Sequence, residues 1–189
     1  MTDQVHVVIG AGPVGWTTAE HLVAAGHRVR VVTRSGTGPD QVETRRTDAA
    51  DPVAITAEIE GAAAFYNCVN PAYHRWVQDW PPVHQALMRA ATVTGAVYVL
   101  MDNLYAYGPT GGAVMRETDP LNASGAKGRT RAAMATELLA AHHAGTLRAT
   151  IARASDFVGP RVIGAALGER VVPRVLAGKA VKVLGSADV

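Results

Sequence analysis

The residues with the clearest chemical purpose stand close to the start of the chain. Gly10-Ala11-Gly12-Pro13-Val14-Gly15 has the spacing G-x-G-x-x-G, preceded by the β-branched run Val5 to Ile9 and followed by a helical pattern from Pro13. The three glycines have separate jobs. Gly10 permits a tight turn, Gly12 lets a phosphate approach the backbone, and Gly15 lets a helix begin close to the strand before it. That helix start presents unpaired N–H groups and the positive end of a dipole. The arrangement suits a pyrophosphate, so Gly10, Gly12, Pro13, Val14 and Gly15 are read as contacts to a dinucleotide.

The end of the next strand bears on which dinucleotide. An NAD site usually carries Asp or Glu there for the ribose 2′-hydroxyl. The segment is Val32-Thr33-Arg34-Ser35-Gly36, without an acid. Arg34 can pair with a 2′-phosphate and Ser35 can donate a second hydrogen bond. One charge-assisted contact contributes ~1.5–3 kcal/mol, so NADP is expected over NAD by roughly ten- to a hundredfold, with NAD as the weaker ligand. Asp48, before the following helix, stands where an adenine amino group could be met. Val69 and Asn70, at the end of a further strand, would border the adenosine or nicotinamide ribose.

The elements that must position these residues alternate along the chain. Strands are predicted over 5–9, 28–33, 63–69, 96–101, 147–154 and 180–184. Helices are predicted over 13–25, 52–60, 83–94, 127–144 and 164–177. Asp51 and Pro52 are read as N-cap and first position of the second helix. The aromatic and proline-rich stretch 70–82 reads as a loop, and 102–126 as a long functional one. Strands alternating with helices imply an α/β fold with a doubly wound parallel sheet, the Rossmann arrangement. With 189 residues, one dinucleotide-binding domain over 1–189 is expected.

Composition excludes several classes. Lys plus Arg is 18 and Asp plus Glu is 16, an excess too small for a nucleic-acid footprint. No apolar run approaches the roughly 20 residues of a membrane helix. The single cysteine, Cys68, rules out an internal disulfide and fits a reducing cytoplasm; at a strand end it reads as core rather than nucleophile. The seven histidines show no spacing that compels a metal. A small-molecule substrate is the expected partner.

Further motifs carry a resemblance. Val97-Tyr98-Val99 leads to Tyr107-Gly108, and Arg153-Ala154-Ser155-Asp156-Phe157-Val158-Gly159-Pro160 follows a late strand. Together with the glycine turn, these make the chain resemble an extended short-chain dehydrogenase/reductase, more narrowly an atypical branch of the NAD-dependent epimerase/dehydratase family. The resemblance implies a catalytic Ser or Thr followed by Tyr-x-x-x-Lys on the next helix. Aligned on Tyr107-Gly108, the Ser/Thr position falls on Asn103. The Tyr and Lys positions fall on Lys127 and Arg131, and no Tyr follows Tyr107.

All three positions are therefore replaced. Arg131 can supply positive charge but cannot exchange a proton in the useful range. Lys127 could do so with a depressed pKa, and Tyr105 is a surrogate phenol; Tyr107 reads as structural. Lys127, Arg129 and Arg131 near one helix start repel each other unless an anion sits among them or they fan into solvent. Asp102 reads as a turn residue. The resemblance further implies a C-terminal substrate-binding region absent from, or truncated in, these 189 residues, and an apolar face left for solvent or a homodimer. Two functions stay open: an NADP-dependent oxidoreductase or epimerase on a sugar-nucleotide or carbonyl substrate with rewired proton transfer, or an inactive dinucleotide sensor.

Overall fold

The computed structural model of the chain describes residues 4–163, 165, 168 and 171–181. The β-branched run becomes strand β1 (Val5–Ile9), and glycine closes it into helix α1 (Pro13–Ala24). Strand β2 (Arg28–Thr33) follows, then β3 (Glu43–Arg46), a strand the sequence pattern does not announce. Its residues, Glu-Thr-Arg-Arg, lack the apolar signal of a buried strand, because β3 is the edge of the sheet and largely exposed.

Helix α2 (Pro52–Ile59) has the expected cap: the Asp51 carboxylate accepts the N–H groups of Val53 and Ala54. Strand β4 (Ala62–Asn67) leads through a 3-10 turn at Tyr73–Arg75 into helix α3 (Trp76–Thr94). Strand β5 (Val97–Asn103), helix α4 (Ala126–His143), strand β6 (Ala149–Ala154) and a short helix α5 (Val172–Leu176) complete the order. The six strands lie in the order β3-β2-β1-β4-β5-β6, with parallel pairing between β2 and β3, β1 and β2, β1 and β4, and β4 and β5. This is the doubly wound Rossmann arrangement expected from the sequence.

Helix α3 begins seven residues before its expected start, with Pro81 and Pro82 inside it. Each interior proline costs about 3 kcal/mol in a helix. The opposing burial is larger. Trp76, Trp80, Val83, Leu87, Ala90 and Ala91 follow the helical period, and all are buried. Large apolar side chains contribute roughly 1.5–3 kcal/mol each on burial, so the stripe outweighs the lost donors. Of the expected helix over 164–177, the described part is helical only at Val172–Leu176; most of the strand expected over 180–184 lies outside the described residues.

Pleating sends alternate strand residues to opposite faces. Val7, Ile9, Phe65, Tyr98 and Leu100 join a core formed with α2, α3 and α4; Val8, Val29 and Val31 pack with Ala19 of α1. Contacts divide the chain into two units, Met1–Arg153 and Ala154–Val189. In the second, five-residue α5 closes with the Lys179 N–H donating to the Arg174 carbonyl.

One buried polar residue ties the core to pH. His84 on α3 is only 2% exposed, with Nε2 3.2 Å from the half-exposed Glu137 carboxylate on α4. Burial pushes its proton affinity down; Glu137 opposes that shift and Arg131 adds to it. With the folded pKa below the ordinary 6.5, the unfolded chain binds the proton first, so stability falls as pH drops below about 6.5. Urea unfolding at pH 7.5 and 5.0 should show a smaller acid loss in His84→Gln than in the parent chain; equal losses would refute this role.

Candidate functional site

The turn after β1 is built by close approach. Gly10 has a φ of +95°, and its N–H donates to the Val32 carbonyl at 2.9 Å, tying the turn to β2. A Cβ on Gly15 would overlap the Gly10 carbonyl oxygen, so α1 abuts the turn only because this residue is glycine. Gly12 is the helix N-cap and supplies no side-chain cap. A Cβ placed on Gly12 would meet no heavy atom of the chain within 4 Å. The first turn of α1 therefore faces open space with its N–H groups uncapped, which fits a pyrophosphate.

The cradle has two other walls. At the end of β2, the Thr33 hydroxyl accepts the Thr37 N–H at 3.0 Å, and the Ser35 and Thr37 hydroxyls are 2.7 Å apart. Arg34 is exposed and, among the described residues, makes no ion pair. It lies near the start of α3: the Asp79 carboxyl is held low by its Arg75 hydrogen bond, and Arg34 and His74 add weaker pulls. Asp48 is exposed and its Oδ1 accepts the Ala50 N–H, an Asx turn before α2. The Val69 N–H donates to the carbonyl of the buried Asn67 side chain; β4 ends at Asn67, so Val69 and Asn70 lie in the loop beyond it and not at the strand end expected. Burial pushes the Cys68 thiol up to about 12, so it stays protonated beside Gly15, as a core residue would.

Asn103 and Tyr105 at the end of β5, and Lys127 and Arg131 at the start of α4, lie on adjoining segments. Gly128 makes this possible: a Cβ there would fall 2.7 Å from the Tyr105 carbonyl oxygen, so α4 starts directly against that loop. The Asn103 side chain accepts the Tyr105 N–H at 3.0 Å. The Lys127 Nζ lies 3.7 Å from the centroid of the Tyr73 ring, and the Tyr73 hydroxyl is 3.4 Å from that of Tyr105. Trp76 packs beneath both tyrosines. Tyr73, within the aromatic stretch 70–82, is half exposed and seats Lys127.

Arg131 is turned inward. Its Nε donates to Asp102 at 2.7 Å, its guanidinium carbon is 4.2 Å from the Trp80 ring centroid, and the residue is 2% exposed. Asp102 also lies 3.6 Å from Arg153, whose Nη1 donates to the buried Tyr107 hydroxyl at 2.8 Å. Asp102 is thus a buried hub on a strand, which corrects its reading as a turn acid. The cations of α4 take separate paths, with Arg129 exposed, Lys127 half-buried and Arg131 buried. Lys127 caps an aromatic ring, Arg129 donates to the Ser124 carbonyl, and Arg131 pairs with Asp102.

The fold and its glycine turn define a Rossmann-type dinucleotide-binding class. Within that class, the chain belongs to the NAD dependent epimerase/dehydratase family, whose model matches residues 6–189. No curated protein matches it. Among solved structures, it is similar to the UDP-N-acetylglucosamine 4-epimerase of Methanobrevibacter ruminantium M1, solved with UDP-N-acetylmuramic acid. Identity is 15% and the TM-score 0.82, over 100% of this chain and 67% of that one. The UDP-glucose 4-epimerase of Brucella ovis, in complex with NAD, is 22% identical with a TM-score of 0.69, over 79% and 51%. DesIV, a dTDP-glucose 4,6-dehydratase from Streptomyces venezuelae with NAD bound, is 18% identical with a TM-score of 0.75, over 93% and 63%. The chain spans about half the length of the Brucella ovis enzyme.

Two outcomes follow from this geometry. Gly15→Ala should destabilise the fold by at least about 2 kcal/mol, because the added methyl meets backbone. Gly12→Ala should change stability by less than about 1 kcal/mol. Thermal and urea unfolding of the pair measure this, and equal effects would contradict the packing described. Asp102→Ala, which leaves Arg131 buried without its partner, should cost about 3–5 kcal/mol of unfolding free energy. A stability within 0.5 kcal/mol (roughly the spread of surface substitutions) would show that Asp102 is no structural hub.

Proposed function

We propose that the chain is the cofactor-binding part of an NADP-preferring oxidoreductase or epimerase acting on a sugar-nucleotide or related carbonyl substrate. The observation that carries this reading is the uncapped start of α1, open above Gly12 and closed below by Gly15 against Gly10. Gly10, Gly12, Pro13, Val14 and Gly15 would hold the pyrophosphate, Arg34 and Ser35 a 2′-phosphate, Asp48 the adenine, and Val69 and Asn70 a ribose. Membership of the family and the sugar-nucleotide enzymes among its structural neighbours support the substrate class. A cytoplasmic setting and self-association into a homodimer belong to the same reading.

When bound, the nicotinamide supplies hydride transfer. The chain must supply the accompanying proton. Arg131 cannot, being a guanidinium buried against Asp102. Lys127 and Tyr105 remain: Tyr105 is exposed beside Asn103, Lys127 is half-buried, and Tyr73 touches both. In this reading Tyr105 or Lys127 exchanges the proton, Asn103 fixes the Tyr105 loop, and the Arg131–Asp102 pair holds α4 against β5.

The same ion pair favours a second reading. A lysine position converted into a buried structural arginine suits a module that binds the dinucleotide without turning it over. Fluorescence titration and a turnover assay separate these readings. NADPH should bind at least tenfold more tightly than NADH; equal affinity would defeat the NADP assignment. With sugar-nucleotide and carbonyl substrates, turnover, followed as cofactor oxidation or as epimerised product, should fall at least a hundredfold in Lys127→Met or Tyr105→Phe. Tight NADPH binding with neither net cofactor oxidation nor epimerisation of any of these substrates would establish the sensor instead.

A further inference from the structure

The edge strand β3 carries two consecutive arginines whose surroundings differ. Side chains alternate along a strand, so Glu43 and Arg45 share one face and Thr44 and Arg46 the other. On the first face the charges are matched. Arg45 pairs with Glu43 and with Glu58, and Arg30 of β2 lies 3.2 Å from Glu43 and 3.8 Å from Glu58. On the second face no acid answers Arg46 among the described residues. What lies there is the loop after β2: a Cβ on Gly36 would be 3.5 Å from the Arg46 Cβ, and one on Gly38 3.1 Å from Thr44.

Arg46 stands opposite Thr33 in the β2–β3 register, and its Nε donates to the Arg34 carbonyl at 3.1 Å. One nitrogen of the guanidinium thus grips the residue assigned to cofactor selection, and the exposed group stands at the strand end from which the 33–37 loop leaves. Arg34 on the loop and Arg46 at the neighbouring strand end are both exposed and without an acidic partner among the described residues, so together they offer a multiply charged anion two guanidiniums. Arginine's planar fork suits phosphate oxygens.

We infer that Arg46 is a second specificity-determining residue, which joins Arg34 and Ser35 in receiving the monoester phosphate that distinguishes NADP from NAD. This inference rests on the NADP reading above and adds a residue from a strand that reading did not use.

The probes are 2′,5′-ADP and 5′-AMP, which differ only in the phosphate concerned. Their affinities for the whole chain are measured by calorimetry in the parent, Arg34→Gln, Arg46→Gln and Arg46→Lys. The parent should prefer 2′,5′-ADP at least tenfold. Arg46→Gln should weaken 2′,5′-ADP about tenfold, leave 5′-AMP within twofold, and lower the salt dependence of the 2′,5′-ADP affinity. Arg46→Lys, which keeps the charge, should recover part of the loss. If Arg34→Gln erases the preference and Arg46→Gln leaves it intact, the inference fails and the NADP reading stands. If Arg46→Gln weakens both probes equally, Arg46 only supports the loop, which also overturns the inference. A parent that shows no preference defeats the NADP reading, and this inference falls with it.

Discussion

The fold turns on a contact that only glycine allows: the first turn of α1 against the Gly10 carbonyl. Any side chain at Gly15 would push the helix off the strand. With the helix seated there, its uncapped N–H groups gather at one end of the sheet, beside the ends of β2 and β4. Positive potential at that point comes from the backbone, independent of which side chains surround it. The surroundings choose among ligands, and in this chain they offer hydroxyls and arginines where an acid would suit a free ribose hydroxyl.

A second constraint operates at the other half of the site. Asp102 and Arg131 bring opposite charges into the core between β5 and α4, with Trp80 covering the guanidinium. Desolvation makes such a pair costly to break and of small net benefit to form. It does specify where α4 begins relative to β5. That register, together with the side-chain-free surface of Gly128, sets Lys127 beside Tyr73 and Tyr105. Arg131 thereby serves the architecture, while Lys127 and Tyr105 stand nearer the surface.

Much of this was legible in the residues. The glycine turn, the Asp51 cap and the buried strands carry strong local signals, since each depends on neighbours in sequence. The start of α3 was not legible, because two prolines argue against a helix and only the tertiary burial of Trp76 and Trp80 overrules them. Strand β3 was missed for a related reason: an exposed edge has no apolar alternation to read, and so the separate roles of Arg45 and Arg46 stayed hidden. Asp102 looked like a turn acid because its partner lies 29 residues along the chain. The absence of any tyrosine after Tyr107, by contrast, is plain in the residues.

Amide chemical shifts and hydrogen exchange, recorded residue by residue with and without NADP, test the central interaction most directly. Slowed exchange and shifted resonances at Val14, Gly15 and Trp16, with smaller changes along residues 34–37, are the expected result. Unchanged amides at the start of α1, in a sample that is folded and saturated with the cofactor, would contradict it.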